Sequence, residues 1–325
     1  MSRCAVDTSL KRHLIGDFQF PLGVYPVEDM EPKPGYTMVF EPADADADAE
    51  FEEWPDRYVF DIVMSHQRLE PFCRQLFSLF KGRVFPILDV LGRDDFREID
   101  PYIAYDLIGM DRFLECLRRY RDFFYEDGLC GFGVMTEEPF FYAFVDEHKI
   151  VTIRAEPHMK ERIEALLRSF DLEPREDPAG ADATAHEHRG VLNSADESLL
   201  TFDQIVEDLR DEWRLLLNID PTNNVDDEGK DLGNTIWHCV ARFMGDEGRR
   251  RYAEVIVAAG ALEEAERMAM DAAEALPKAP PPDDADLILV AIDRVAPDRV
   301  GELQIPKGES ADPEPSRIIS SRWLE

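Results

Sequence analysis

Apolar and polar residues alternate along this chain in short runs, and the clearest run opens at Tyr58. Tyr58 to Met64 is apolar on both faces except at Asp61, which predicts an interior strand. Gln67 to Phe80 carries Leu69, Phe72, Cys73, Leu76, Phe77 and Phe80 at helical spacing. Ser65 suits its start and Gly82 the turn after its end. Gly82 to Val90 returns as a second strand, and strand–helix–strand at this length favours a parallel crossover. Pro86 lacks a donor, so this strand is predicted at a sheet edge.

A helix follows over 110–125, then three strands over 130–135, 140–145 and 150–155 with connections of hairpin length. A helix over 158–170 closes the unit, its residues Met159, Ile163, Leu166 and Leu167 inward. Residues 173–198 show no apolar period and read as a linker. Beyond it, Ile205, Leu209, Trp213 and Leu216 mark one helix face, and Ile236, Val240 and Phe243 another. Glu247 to Ala259 and Ala261 to Leu276 read as two more helices around Gly260.

The expected fold is therefore α+β. An irregular acidic segment (1–56) precedes a mixed-sheet domain (57–172) with helices mainly on one face. The linker leads to a small helical bundle (199–276), a proline-rich spacer (277–285), a β-hairpin (286–306) and a polar tail (307–325).

Composition narrows function by exclusion. The formal net charge of −33 repels phosphate backbones, so nucleic acid is not an expected partner; a basic protein is. Five cysteines, none in CxxC spacing, offer no disulfide framework or thiolate zinc site. Met1 to Gly16 lacks an apolar signal core, and no run approaches the roughly 18 apolar residues of a membrane span. A cytoplasmic protein, with no membrane association, is the resulting expectation. The oligomeric state is not written in the chain.

Candidate chemistry is sparse. Asp89 ends the second strand, and Asp94, Asp95, Glu98 and Asp100 follow on one loop. With a parallel crossover His66 shares their rim, and such oxygens suit Mg²⁺ or Mn²⁺. Asp89, Glu98, Asp100 and His66 are then the catalytic candidates, and Asp89, Asp94, Glu98 and Asp100 the metal candidates. A solvated acidic loop is the competing reading. Asp61 calls for a partner such as Arg83 or Arg154 if buried. Asn224 to Gly229 resembles the start of a calcium loop, but Thr235 stands where the template wants glutamate. Cys130 has acidic neighbours, which suits packing better than reactivity. His186-Glu187-His188 could trap a metal weakly from a linker, but a chance pair is the simpler reading. Arg249-Arg250-Arg251 reads as a solvated helix turn.

No familiar catalytic motif is present, so the balance favours a non-enzymatic, cofactor-free interaction module with a basic protein partner. The alternative is a metal-assisted hydrolase or phosphoryl-transfer enzyme built on the carboxylate loop.

Overall fold

The computed structural model describes residues 2–43, 54–193, 195–244, 250–277, 286–305 and 312–324. Most of the alternating acidic run after Ala43 and the proline-rich spacer lie outside them. The fold is α+β, as the patterns predict. The chain divides into two units, residues 1–91 with 101–218, and residues 92–100 with 219–325.

The first unit opens with β1 (Leu14–Ile15), β2 (Phe18–Gln19), β3 (Val24–Pro26) and β4 (Gly35–Glu41). Then come β5 (Arg57–Val63), α1 (His66–Phe77), β6 (Arg83–Leu91), β7 (Ile99–Ala104) and β8 (Ile108–Gly109). Helices α2 (Met110–Arg119) and α3 (Arg121–Glu126) lead into β9 (Cys130–Thr136), β10 (Phe141–Val145) and β11 (Val151–Ala155). The unit ends with α4 (Lys160–Ser169), β12 (His186–His188), α5 (Phe202–Trp213) and β13 (Leu215–Leu217).

Its main sheet runs β13-β7-β6-β9-β10-β11-β5-β4, with β8 beside β6. From β6 to β4 each neighbouring pair is antiparallel. The expected side-by-side parallel pair is therefore absent: β5 and β6 point the same way, but the meander β9-β10-β11 lies between them. Hairpin-length turns let the later strands pair locally and fill that space. Pro86 stands opposite Val134 in an interior strand, not at an edge. Its missing donor weakens one ladder at one point, and both flanks of β6 are still paired.

One face of this sheet, with Phe60, Leu88, Phe132 and Ile153, joins the helices in a single core. α1 shows why its pattern prevails. Pro71 inside the helix costs about 3 kcal/mol. Leu69, Phe72, Cys73, Leu76 and Phe77 are all buried, and a large apolar side chain contributes roughly 1.5–3 kcal/mol, so the stripe outweighs the proline. The supposed linker is instead bound to the unit: β12 pairs β3, and Val191 and Ala181 are buried.

The second unit holds β14 (Thr235–Met244), β15 (Arg250–Ala259), α6 (Leu262–Glu274), β16 (Asp286–Val295) and β17 (Arg317–Leu324), in sheet order β16-β14-β15-β17. The expected helical bundle is replaced by this sheet with one helix packed on it. The hairpin expected over 287–305 also changes. β16 pairs β14, Val300–Glu302 is a 3-10 turn, and the supposed polar tail supplies β17 against β15. Among the described residues no helix is long and apolar enough to cross a membrane.

Candidate metal centre

The shared direction of β5 and β6 puts their C-terminal ends on one edge of the sheet, with the end of β10 and the starts of β9 and β11 between. The Asp146-Glu147-His148-Lys149 turn joins β10 to β11 on that rim. Asp146 Oδ1 accepts from the Ile150 N–H at 2.7 Å, and the Lys149 N–H donates to the Asp146 carbonyl at 3.1 Å. Lys149 takes the left-handed conformation (φ 68°), and its Nζ donates to the Cys130 carbonyl at 2.6 Å. These bonds fix His148 at the tip of the turn.

β12 brings the other two imidazoles. Alternate residues of a strand share a face, so His186 and His188 point the same way while Glu187 points opposite, to the Tyr25 hydroxyl. The three rings gather with centroids 4.7, 4.7 and 4.9 Å apart. One nitrogen from each lies within 4.8 Å of the others, and His148 Nε2 is 2.9 Å from His186 Nε2.

The outer nitrogens identify the tautomers. His186 Nδ1 donates to the Thr184 carbonyl and His188 Nδ1 to the Gly128 carbonyl, each at 2.8 Å. His148 Nδ1 faces Glu147 Oε1 at 3.2 Å and Asp146 Oδ2 at 3.5 Å. Carbonyls and carboxylates only accept, so each Nδ1 carries the proton and each neutral ring is left with an Nε2 lone pair. Lone pairs at this separation repel unless a cation, a proton or a metal ion, stands among them. Nitrogens about 2.0–2.1 Å from a tetrahedral zinc would stand roughly 3.3 Å apart, a few tenths of an ångström more than the His148–His186 pair and inside the 4.8 Å that bounds all three.

Electrostatics sharpen the picture. Burial, with the neighbouring imidazoles, pushes His188 down to about 4 against the bond to Gly128, so it is neutral at pH 7. Burial alone would also lower His148, but Asp146 and Glu147 outweigh it and the ring moves up. Asp89, opposite Gly131 on β6, is raised to about 7 by burial and then by Glu147 and Asp146. Asp89 is thereby coupled to the acidic residues of the turn that carries His148.

The other candidates have partners of their own. His66 begins α1, its Nε2 3.0 Å from Glu126 Oε1, while Arg12 Nη2 bonds both Glu126 oxygens at 2.7 and 2.9 Å. Burial would raise Glu126, but these partners bring it down to about 2. In the second unit Asp94 is clasped by the Arg294 side chain and by its N–H, and Asp100 by Arg97 Nε at 2.6 Å. Asp95 bonds the Ala296 N–H at 2.7 Å and pairs with Arg299. Glu98 is exposed. Arginines thus pair with Asp94, Asp95 and Asp100 on the loop read as the Mg²⁺ or Mn²⁺ candidate. The calcium-like loop meets the same cation: Arg294 Nη1 donates to Asn224 Oδ1 and the Val225 carbonyl.

Asp61 is exposed and accepts from Thr152 Oγ1 at 2.8 Å, so it needs neither Arg83 nor Arg154. Cys130 is buried, donates to the Phe123 carbonyl and is pushed up to about 12, which makes it a packing residue. Arg250 and Arg251 open a strand, not a helix, and Arg251 lies over the Trp323 ring; Arg249 falls outside the described residues.

Sequence reasoning passed over the cluster because His-x-His was assigned to a linker. The usable signal was the period of two, which puts both rings on one side only if the segment is a strand. His148 gives no local sign of joining them. The chain matches no family model, no curated protein and no solved structure.

Proposed function

We propose that this protein binds one divalent transition-metal ion through His148, His186 and His188 and uses it to activate water for hydrolysis. The carrying observation is that one nitrogen from each of three imidazoles converges within 4.8 Å while each Nδ1 faces an acceptor of its own. Outer partners of this kind orient metal-ligating histidines and fix their tautomer. Imidazole donors favour zinc, copper or nickel over the magnesium or manganese suggested by the acidic loop. Three protein ligands leave a fourth tetrahedral position for water, the arrangement of catalytic rather than structural zinc. Asp89 supplies a carboxyl near neutrality on the same rim, suited to accepting that water's proton.

Zinc titration by calorimetry, with elemental analysis, tests the centre. One ion per chain is expected, with affinity falling on the order of 100-fold or more in H186A or H188A, beyond the 10–100-fold loss typical of outer-shell changes. Wild-type affinity in the double variant H186A/H188A sinks the assignment. Zinc-dependent hydrolysis of an activated ester, lost in D89N with zinc retained, tests the chemistry.

A second reading keeps the basic protein partner. Asp95, Glu98, Asp226, Asp227 and Glu228 line an open cleft of about 360 Å³ in the second unit. Binding of a lysine-rich peptide that is lost in high salt and in D226N/D227N supports it; binding indifferent to both rejects it.

A further inference from the structure

His66 is nine-tenths buried, with 9% of its side chain exposed, yet its Nδ1 has no hydrogen-bond partner among the described residues. A buried ring nitrogen left unpaired is costly, so it calls for a partner. Its other nitrogen is committed. Glu126 is held as a carboxylate by Arg12 and accepts the Nε2–H, which leaves the Nδ1 of a neutral ring as an acceptor.

The ring borders a cavity of about 20 Å³ whose wall includes Phe20, Met64, Leu69, His148 and Lys149. That volume suits a single water, since one needs at least about 10–15 Å³ and two or more polar partners. Both His66 and His148 line it, so one small space borders the Glu126-bonded ring and one of the three clustered imidazoles. Charged groups act on it from both histidines: Glu126 and Arg12 at His66, Asp146, Glu147 and Asp182 at His148, and Lys149, whose ammonium is tied to the Cys130 carbonyl.

We propose that His66 is a positioning residue of the metal centre, its Nδ1 fixing one water in this cavity as a proton relay. The proposal rests on the metal reading above. In the relay, the cavity water gives a proton to His66 Nδ1 and takes one from the centre. The water is thus unchanged, and the proton resides on an imidazolium beside the Glu126 carboxylate. Glu126 orients the ring without itself taking the proton, the role a carboxylate plays beside a catalytic histidine.

Cobalt(II) serves as the probe, because its visible spectrum reports both coordination and the ionisation of its water. H66F and H66Q should each bind one cobalt with affinity within a few-fold of wild type. In both, the spectral inflection with pH should move up by about one unit, a tenfold change in proton affinity. A shift seen in both variants is not explained by filling the cavity, because only phenylalanine lacks a polar group. An inflection at the wild-type pH in both overturns the relay while leaving the centre intact. Absence of a cobalt spectrum in wild type overturns both. Should either variant fail to fold, ¹⁵N spectra of the wild-type histidines decide: an Nε2–H tautomer with an accepting Nδ1 is expected for His66, and an Nδ1–H tautomer overturns the relay.

Discussion

Asp89 shows how a single residue on this rim carries a cost. Its carboxyl is raised to about 7 in the folded chain from an ordinary 3.8, through burial and then the neighbouring Glu147 and Asp146. Between those values the unfolded chain has released its proton and the folded chain retains it. Folding is therefore penalised progressively as pH rises from about 4, and the full penalty is present above about 7. D89N removes the charge, so the metal-free variant should be more stable than wild type at pH 8 by a few kcal/mol, from about 1.4 kcal/mol per unit, and equal to it near pH 4. Urea unfolding across that range measures the difference; a variant less stable than wild type at pH 8 would show Asp89 ionised and held by partners. The residue was legible in sequence as a carboxylate closing a strand. Its coupling was not, because Asp146 and Glu147 come beside it only through the register Asp89–Gly131 and the β9–β10 pairing. His186 and His188 were visible as residues, but became a site only when β12 paired with β3.

At the scale of elements, one backbone crossing places the third ligand. A Cβ on Gly23 would lie 2.0 Å from the Gly128 nitrogen, and one on Gly128 2.0 Å from the Gly23 carbonyl oxygen. No side chain fits between those two backbones. The Gly128 carbonyl holds His188 Nδ1, and Arg189 N–H donates to the Gly23 carbonyl, so β3, the start of β9 and β12 are fastened together here. G23A should force them apart, costing on the order of 1–3 kcal/mol as overpacking does, and weaken zinc binding roughly 10–100-fold through the lost support of His188. Calorimetric titration with thermal unfolding reads both, and unaltered zinc affinity in a folded G23A protein would show that this crossing does not set the ligand. Periodicity revealed α1, which has one buried stripe, and β11, which is buried at alternate positions; β5, β9 and β10, covered on both faces, were legible from short apolar runs bounded by turns. It misread β14 and β15, whose two faces are both largely covered, so alternation is lost. Ile236, Val240 and Phe243 then matched a helical period by chance. The arbitrating signal was composition: Thr235, Ile236, Trp237, Val240 and Phe243 favour a pleated strand.

At the scale of the whole molecule, the second unit is assembled from two separate stretches of chain, and a buried ion pair fastens them. Asp94, fully buried, meets the Arg294 N–H at 2.7 Å and its guanidinium at 2.9–3.0 Å, and the Asp95 N–H returns a bond to the Arg294 carbonyl at 3.0 Å. Arg294 also reaches Asn224 Oδ1 and the Val225 carbonyl, so one guanidinium organises three segments. No local pattern announces such a partnership, since Asp94 read as a metal candidate or as one more acid on a solvated loop. Removing the acid alone strands the cation: D94A should cost about 3–5 kcal/mol. Replacing both partners, as in D94L/R294M, should recover much of that loss, because a packed apolar pair avoids the desolvation of two charges. Zinc affinity should stay at the wild-type value in D94A wherever the first unit is folded, since His148, His186, His188 and their outer partners Glu147, Thr184 and Gly128 all belong to that unit. Denaturant unfolding followed by tryptophan emission, with Trp213 in the first unit and Trp237 in the second, separates the two transitions. A single transition in D94A, with zinc binding lost at the same denaturant concentration as the second unit's sheet, would mean that the metal centre depends on the whole chain folding as one block.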